Sequence, residues 1–110
     1  MPRVWKVVLE MIGGMRPVIA QVERHDPTMA RQVRRAVTSM AMNVAQCISA
    51  DERDRGPRYW SALGSAREAE SSVEAAHALG YAHVDRALIA QLREITCTLA
   101  RLVERHRIHC

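Results

Sequence analysis

Three groups of side chains in this 110-residue chain have types and spacings that support chemistry. Arg31, Arg34, Arg35 and Thr38 recur at three-, four- and seven-residue steps, so on a helix they share a face, and no acid occurs between Asp26 and Asp51 to neutralise them. Guanidinium groups in such a row can meet successive phosphates of a nucleic acid. The competing reading is a solvated face, or salt bridges to Glu68, Glu70 and Glu74 further along the chain. A second group is Glu70, Glu74 and His77, in which Glu74-Ala75-Ala76-His77 has the Glu-x-x-His spacing of carboxylate-bridged di-iron bundles. Such a centre needs a second Glu-x-x-His on another helix, and Glu104-Arg105-His106 has the wrong interval, so no metal or other cofactor is expected. The third group is a polar seam of Gln32, Ser39, Asn43 and Gln46, spaced by seven, four and three residues. Buried amides and hydroxyls in bundles more often pair across helices and set register than bind a ligand. Ser39 has no evident Asp and His partners for a hydrolytic triad, and no glycine-rich phosphate cradle with its lysine is present. An enzyme is not expected.

These residues must be positioned by helices. Val4, Val8, Met11 or Ile12, Met15, Ile19 and Val22 recur at three- and four-residue steps, the period of one helix face. Gly13, Gly14 and Pro17 weaken that first helix and predict a kink or loosened turn. Asp26-Pro27 reads as an N-cap followed by proline at the first helical position. The second helix then buries Met29, Val33, Ala36 or Val37, Met40, Val44 and Ile48. A charged turn, Asp51 to Pro57, precedes a third helix with Leu63, Ala66, Val73, Ala76 and Leu79 as its stripe and Gly80 as its stop. Gly64-Ser65-Ala66 lies inside it and reads as a close helix crossing. Asp85 caps a fourth helix in which Leu88, Leu92, Ile95, Leu99 and Leu102 form the strongest heptad. The expected helices cover about 3–24, 27–50, 57–79 and 85–107 of a single domain, 1–110. Short connections force successive helices to reverse, which predicts an all-α, antiparallel up-down-up-down four-helix bundle. Apolar residues off the main stripes, such as Trp5, Ala41, Ile89 and Val103, suggest an additional oligomer interface, and Trp5 and Trp60 are read as core or interface anchors.

The chain carries 16 Lys and Arg against 12 Asp and Glu, a net charge of +4 that favours an anionic partner without requiring one. The three cysteines, Cys47, Cys97 and Cys110, form no CxxC pair and are odd in number. That argues against a disulfide scaffold or zinc site and for a reducing cytoplasm. No apolar run is long enough to span a bilayer, so no membrane partner is expected. The terminal His106, Arg107, His109 and Cys110 can collect metal adventitiously but do not read as a site.

Gln32-Val33-Arg34-Arg35-Ala36, Ser39, Asn43-Val44-Ala45, Gly64-Ser65-Ala66 with Glu68, and Leu79-Gly80-Tyr81 together resemble the four helix bundle proteins associated with intervening sequences of bacterial 23S ribosomal RNA genes. The similarity runs from about Val4 to Val103. Where that family reads Asn-Ile-Ala-Glu-Gly, this chain has Asn43-Val44-Ala45-Gln46-Cys47, which loses a carboxylate and a glycine. The resemblance implies a bundle that assembles as a ring, a homopentamer, with a link to ribosomal RNA. The accessory proteins of diversity-generating retroelements are similar in architecture and bring RNA to a reverse transcriptase. Three functions follow as expectations. The first is a non-enzymatic bundle presenting Arg31, Arg34 and Arg35, joined by Arg24 and Arg101, to structured RNA. The second is a scaffold or accessory subunit for a nucleic-acid enzyme. The third is a metal-binding bundle built on Glu70, Glu74 and His77.

Overall fold

The computed structural model describes residues 2–108, apart from the side chains at positions 52 and 108, so His109 and Cys110 lie outside the described residues. Four long helices follow one another: α1 (Arg3–His25), α2 (Pro27–Ser49), α3 (Arg55–Ala78) and α4 (Arg86–Ile108), with a single 3-10 turn at Glu52–Asp54 between α2 and α3. No strand occurs among the described residues. Helices of 23 or 24 residues span about 35 Å at 1.5 Å per residue, consistent with principal extents of 45 × 24 × 21 Å. Each helix packs on two others, α1 on α2 and α4, and α3 on α2 and α4. This closed four-sided arrangement is a four-helix bundle.

Local sequence explains the boundaries. The Asp26 carboxylate accepts from the Met29 backbone N–H at 3.0 Å, filling one of the orphan donors that open α2. Pro27 sits where no donor is needed. The third helix begins earlier than the glycine and proline suggest, at Arg55, so Gly56 and Pro57 occupy its first turn, where an absent N–H leaves no intrahelical bond unmade. It stops at Gly80, which adopts φ +76 while Gly80 N–H donates to the His77 carbonyl and Tyr81 N–H to that of Ala76, both at 3.0 Å. These are the two bonds of a Schellman motif. Helix α1 continues through Gly13, Gly14 and Pro17 to His25. Pro17 is solvent-exposed, so the carbonyl it deprives of a partner lies toward water.

The core is built from Met11, Met15, Met40, Leu92, Ile95 and Leu99, all but excluded from solvent, with Val on α1 and α2. On α3 it is mostly alanine, Ala62, Ala66, Ala69 and Ala76, beside Leu63, Ser65 and Val73. Such small side chains let neighbouring helices approach closely. Several stripe positions differ from the sequence reading. Val7 and Val18 are buried while Val4, Ile12 and Ile19 sit at the rim, Cys47 is buried where Ile48 is exposed, and Val103 replaces Leu102. Leu79 is 58% exposed because the helix ends before it. Trp5, Ala41 and Ile89 pack against this same core and Val103 belongs to it. The off-stripe residues that suggested an oligomer interface are therefore used within one copy.

Candidate functional site

The basic row lies on the outer face of α2. Arg31, Arg34, Arg35 and Thr38 are all exposed and, with Gln32 and Ser39, border one shallow open depression. Their local bonds are few. Arg31 Nη2 donates to Thr28 Oγ1 at 3.4 Å, and Arg34 Nη2 reaches Glu23 Oε2 of α1 at 3.3 Å with both side chains more than half exposed. Arg35 shares the α2–α3 groove with Glu68 but forms no ion pair among the described residues. The proposed neutralisation by Glu68, Glu70 and Glu74 is thus not made. An exposed pair such as Arg34–Glu23 is worth at most about 1 kcal/mol and yields readily to a competing anion.

Arg24, exposed in the last turn of α1, is at the same end as the row. Arg101 is not. Leu99 and Leu102 of α4 gather with Pro2, Val4, Cys47 and Tyr59 around a cavity of about 200 Å³, which puts Arg101 near the start of α1. Arg3 and Arg24 are separated by 21 helical residues, about 30 Å along the axis.

The polar seam divides into two. Ser39 and Ser65 share a hydroxyl–hydroxyl hydrogen bond of 2.9 Å, and Asn43 Nδ2 donates to Ser65 Oγ at 2.9 Å and to Ser39 Oγ at 3.4 Å. This knot ties α2 to α3 between half-buried and buried groups. Of the seam, Ser39 and Asn43 are the members that pair across these two helices. Gln46 is exposed and accepts from Arg58 Nη1 at 3.0 Å. These two residues line a polar hollow of about 270 Å³ with Asn43, Asp54, Pro57 and Ser61. Gln32 is exposed at the edge of the arginine row. Sequence reasoning missed Ser65 and Arg58 as partners because they come from a different helix, and single-helix periodicity does not reveal which levels meet.

Glu70, Glu74 and His77 share the side of α3 toward α4, but their chemistry diverges. Glu70 is half-buried, accepts from Thr96 Oγ1 at 2.9 Å and faces Arg93 Nε at 3.8 Å. Glu74 and His77 are exposed. Among the described residues no group of three or more His, Cys, Asp or Glu is arranged to hold a metal ion. Cys47 is buried and Cys97 exposed. Burial pushes the Cys47 thiol above its ordinary value, outweighing the nearby charges of Arg58 and Arg55. Trp5 is a core anchor, whereas Trp60 is 61% exposed and lies outside the core.

The fold and this surface define a helical-bundle protein with an outward-facing arginine row on one helix. No protein-family model, curated protein or solved structure matches the chain. No helix among the described residues is long and apolar enough to cross a membrane.

Proposed function

We propose that this chain is a non-enzymatic, cytoplasmic bundle protein that holds structured RNA against α2, and that it is kin to the bundle proteins associated with 23S ribosomal RNA intervening sequences. One observation carries the reading: three guanidinium groups stand exposed on one helix face and, among the described residues, a single carboxylate, Glu23, is paired to them. Phosphates displace water and Glu23 there at little cost, and release of condensed counterions drives the association. Arg24 extends the surface at the same end. Arg101, about 30 Å away along the bundle, contacts the same RNA only if the RNA runs the length of the molecule or a second copy lies alongside.

Contacts along α1 support the antiparallel arrangement. Arg3 binds Glu94 at 2.8 Å, Glu10 faces Gln91 at 3.4 Å, and a side chain at Gly14 would touch Leu88 at 3.2 Å, so the partners descend α4 as α1 ascends. Ring assembly draws on different residues from those first suggested. Leu9, Met42, Ile48 and Leu79, like Trp60, remain exposed and are apolar positions open to neighbouring copies. Native mass spectrometry reads the copy number directly, and a monomer at micromolar concentration rules the pentamer out.

The RNA reading is tested by filter binding of ribosomal RNA fragments across a salt series. Affinity should fall steeply with salt, and Arg31→Ala/Arg34→Ala/Arg35→Ala should lower the slope of log K against log salt by roughly 2 to 3, one counterion per lost contact. Absence of binding at low salt, or binding undiminished at high salt, overturns it. Met42, 58% exposed and seven residues after Arg35 on that face, favours a second reading in which the same surface docks a protein partner. Capture from nuclease-treated lysate separates the two, because a direct protein contact survives the nuclease.

A further inference from the structure

A separate face, between α3 and α4, carries a different set of groups. The Trp60 indole is left 61% exposed above a groove of about 320 Å³ that includes Pro57, Val103, His106 and Arg107. Indole rings carry the largest apolar surface of any side chain, and one left uncovered beside a concave wall is a ready platform for a flat partner. One turn along α3 stands Gly64, exposed, where an added Cβ would meet nothing within 4 Å. Of the triplet Gly64-Ser65-Ala66, Ser65 and Ala66 face the neighbouring helices while Gly64 faces outward. Its effect is to leave the surface beside the indole free of any side chain. Arg67 follows three residues later, exposed and outside every ion pair among the described residues. Positions 60, 64 and 67 are spaced by four and three residues and so lie along one side of the helix. At the other end, Arg107 has only the loose contact with Glu104 at 3.9 Å, both side chains well exposed.

We propose that this face binds single-stranded nucleic acid, with one base stacked on Trp60 over the open surface at Gly64 and flanking phosphates on Arg67 and Arg107. Stacking supplies sequence-tolerant affinity because every base has a π-face, and the two guanidinium groups track the backbone. A duplex is a poor ligand, since its bases already stack on one another. A two-fold contact with a second copy is disfavoured, because it would bring Arg67 and Arg107 of both copies together. The site is independent of the arginine row on α2, a helix that borders α3 on its other side.

In a Trp5→Phe variant Trp60 is the only indole, and its fluorescence reports on this face alone. Eight-nucleotide oligo(rA) and oligo(dA) at low salt are expected to quench it, and the same strands annealed to their complements are not. The wild-type protein measured against Trp60→Phe gives the same comparison without altering the core. By anisotropy of labelled strand, with Arg31, Arg34 and Arg35 of α2 already replaced by alanine, Trp60→Ala should weaken binding about ten-fold, the loss of one stacked base. Trp60→Phe should retain most of the affinity. Gly64→Leu, which covers the platform and leaves the indole in place, should weaken binding as much as Trp60→Ala, while the triple arginine variant of α2 keeps the quench. Quenching by either strand supports the proposal, and a response to only one identifies the sugar that is read. Absence of quenching by both strands overturns it, as does equal affinity with and without Trp60→Ala in the triple arginine background. A blue shift that grows with protein concentration alone also overturns it, by placing another copy on Trp60.

Discussion

At the scale of the residue, Ser65 is the position on which the α2–α3 contact turns. It is the buried polar side chain of the core, 9% exposed, and it satisfies Ser39 and Asn43 together. Ser65→Ala keeps the volume but strands two partners in a half-dry crossing, so it should cost about 1–2 kcal/mol. Urea unfolding measures this, with the midpoint shifting and the m value constant. Asn43→Ala added to Ser65→Ala should then cost less than its effect alone, because the bond is already gone; strict additivity would show that the knot is not a unit. Cys47 carries a pH dependence. Its folded thiol is held above the ordinary 9.0 by burial, so in the alkaline range the folded state keeps a proton that the unfolded chain releases. The contribution is intact below about pH 9 and is lost as pH rises through the folded value. Wild-type stability should therefore fall more steeply above that pH than stability of Cys47→Ala, and parallel curves would contradict the assignment.

At the scale of the element, Gly64 inside α3 and Gly80 just beyond its end have opposite requirements. Gly64 is exposed within the helix with open space around its missing Cβ, so Gly64→Ala should stabilise by up to about 1 kcal/mol through helix propensity. Gly80 holds φ +76 in the motif that closes the helix, where an L side chain crowds the backbone, so Gly80→Ala should destabilise by roughly 1–2 kcal/mol. Thermal melts of the two variants should move in opposite directions. The helix ends were legible in the sequence because they depend on neighbours within a few positions: Asp26-Pro27 and Gly80 mark boundaries that the structure keeps. The cost of Pro17 was not legible, because it depends on whether the orphaned carbonyl meets water or protein, and that is decided by the orientation of α1 in the bundle.

At the scale of the whole molecule, charge and stability are largely uncoupled. The ion pairs Arg3–Glu94, Arg34–Glu23, Arg93–Glu70 and Arg107–Glu104 each have at least one partner well exposed, and such pairs contribute little in water. The core, in contrast, is assembled from all four helices. Replacing Arg31, Arg34 and Arg35 together should consequently leave the melting temperature and the copy number unchanged while retention of structured, duplex RNA is lost. A collapse of folding in that variant would mean the row is structural and would remove the basis for an RNA-binding face.

By itself the sequence determined that the chain forms four helices, near which residues they begin and end, and roughly which side of each turns inward, with Val7, Val18, Cys47 and Val103 shifting its edge, because apolar periodicity and capping act over one or two turns. It also marked the arginine row, since an acid-free helix face needs no tertiary information to be recognised. Only the tertiary structure decided that Ser65 joins Ser39 and Asn43, that Glu70 is taken up by Thr96 and Arg93, that Arg101 lies at the far end from Arg24, and that Trp60 is left uncovered. Those outcomes depend on the level at which one helix meets another, a quantity set by the packing of the whole core.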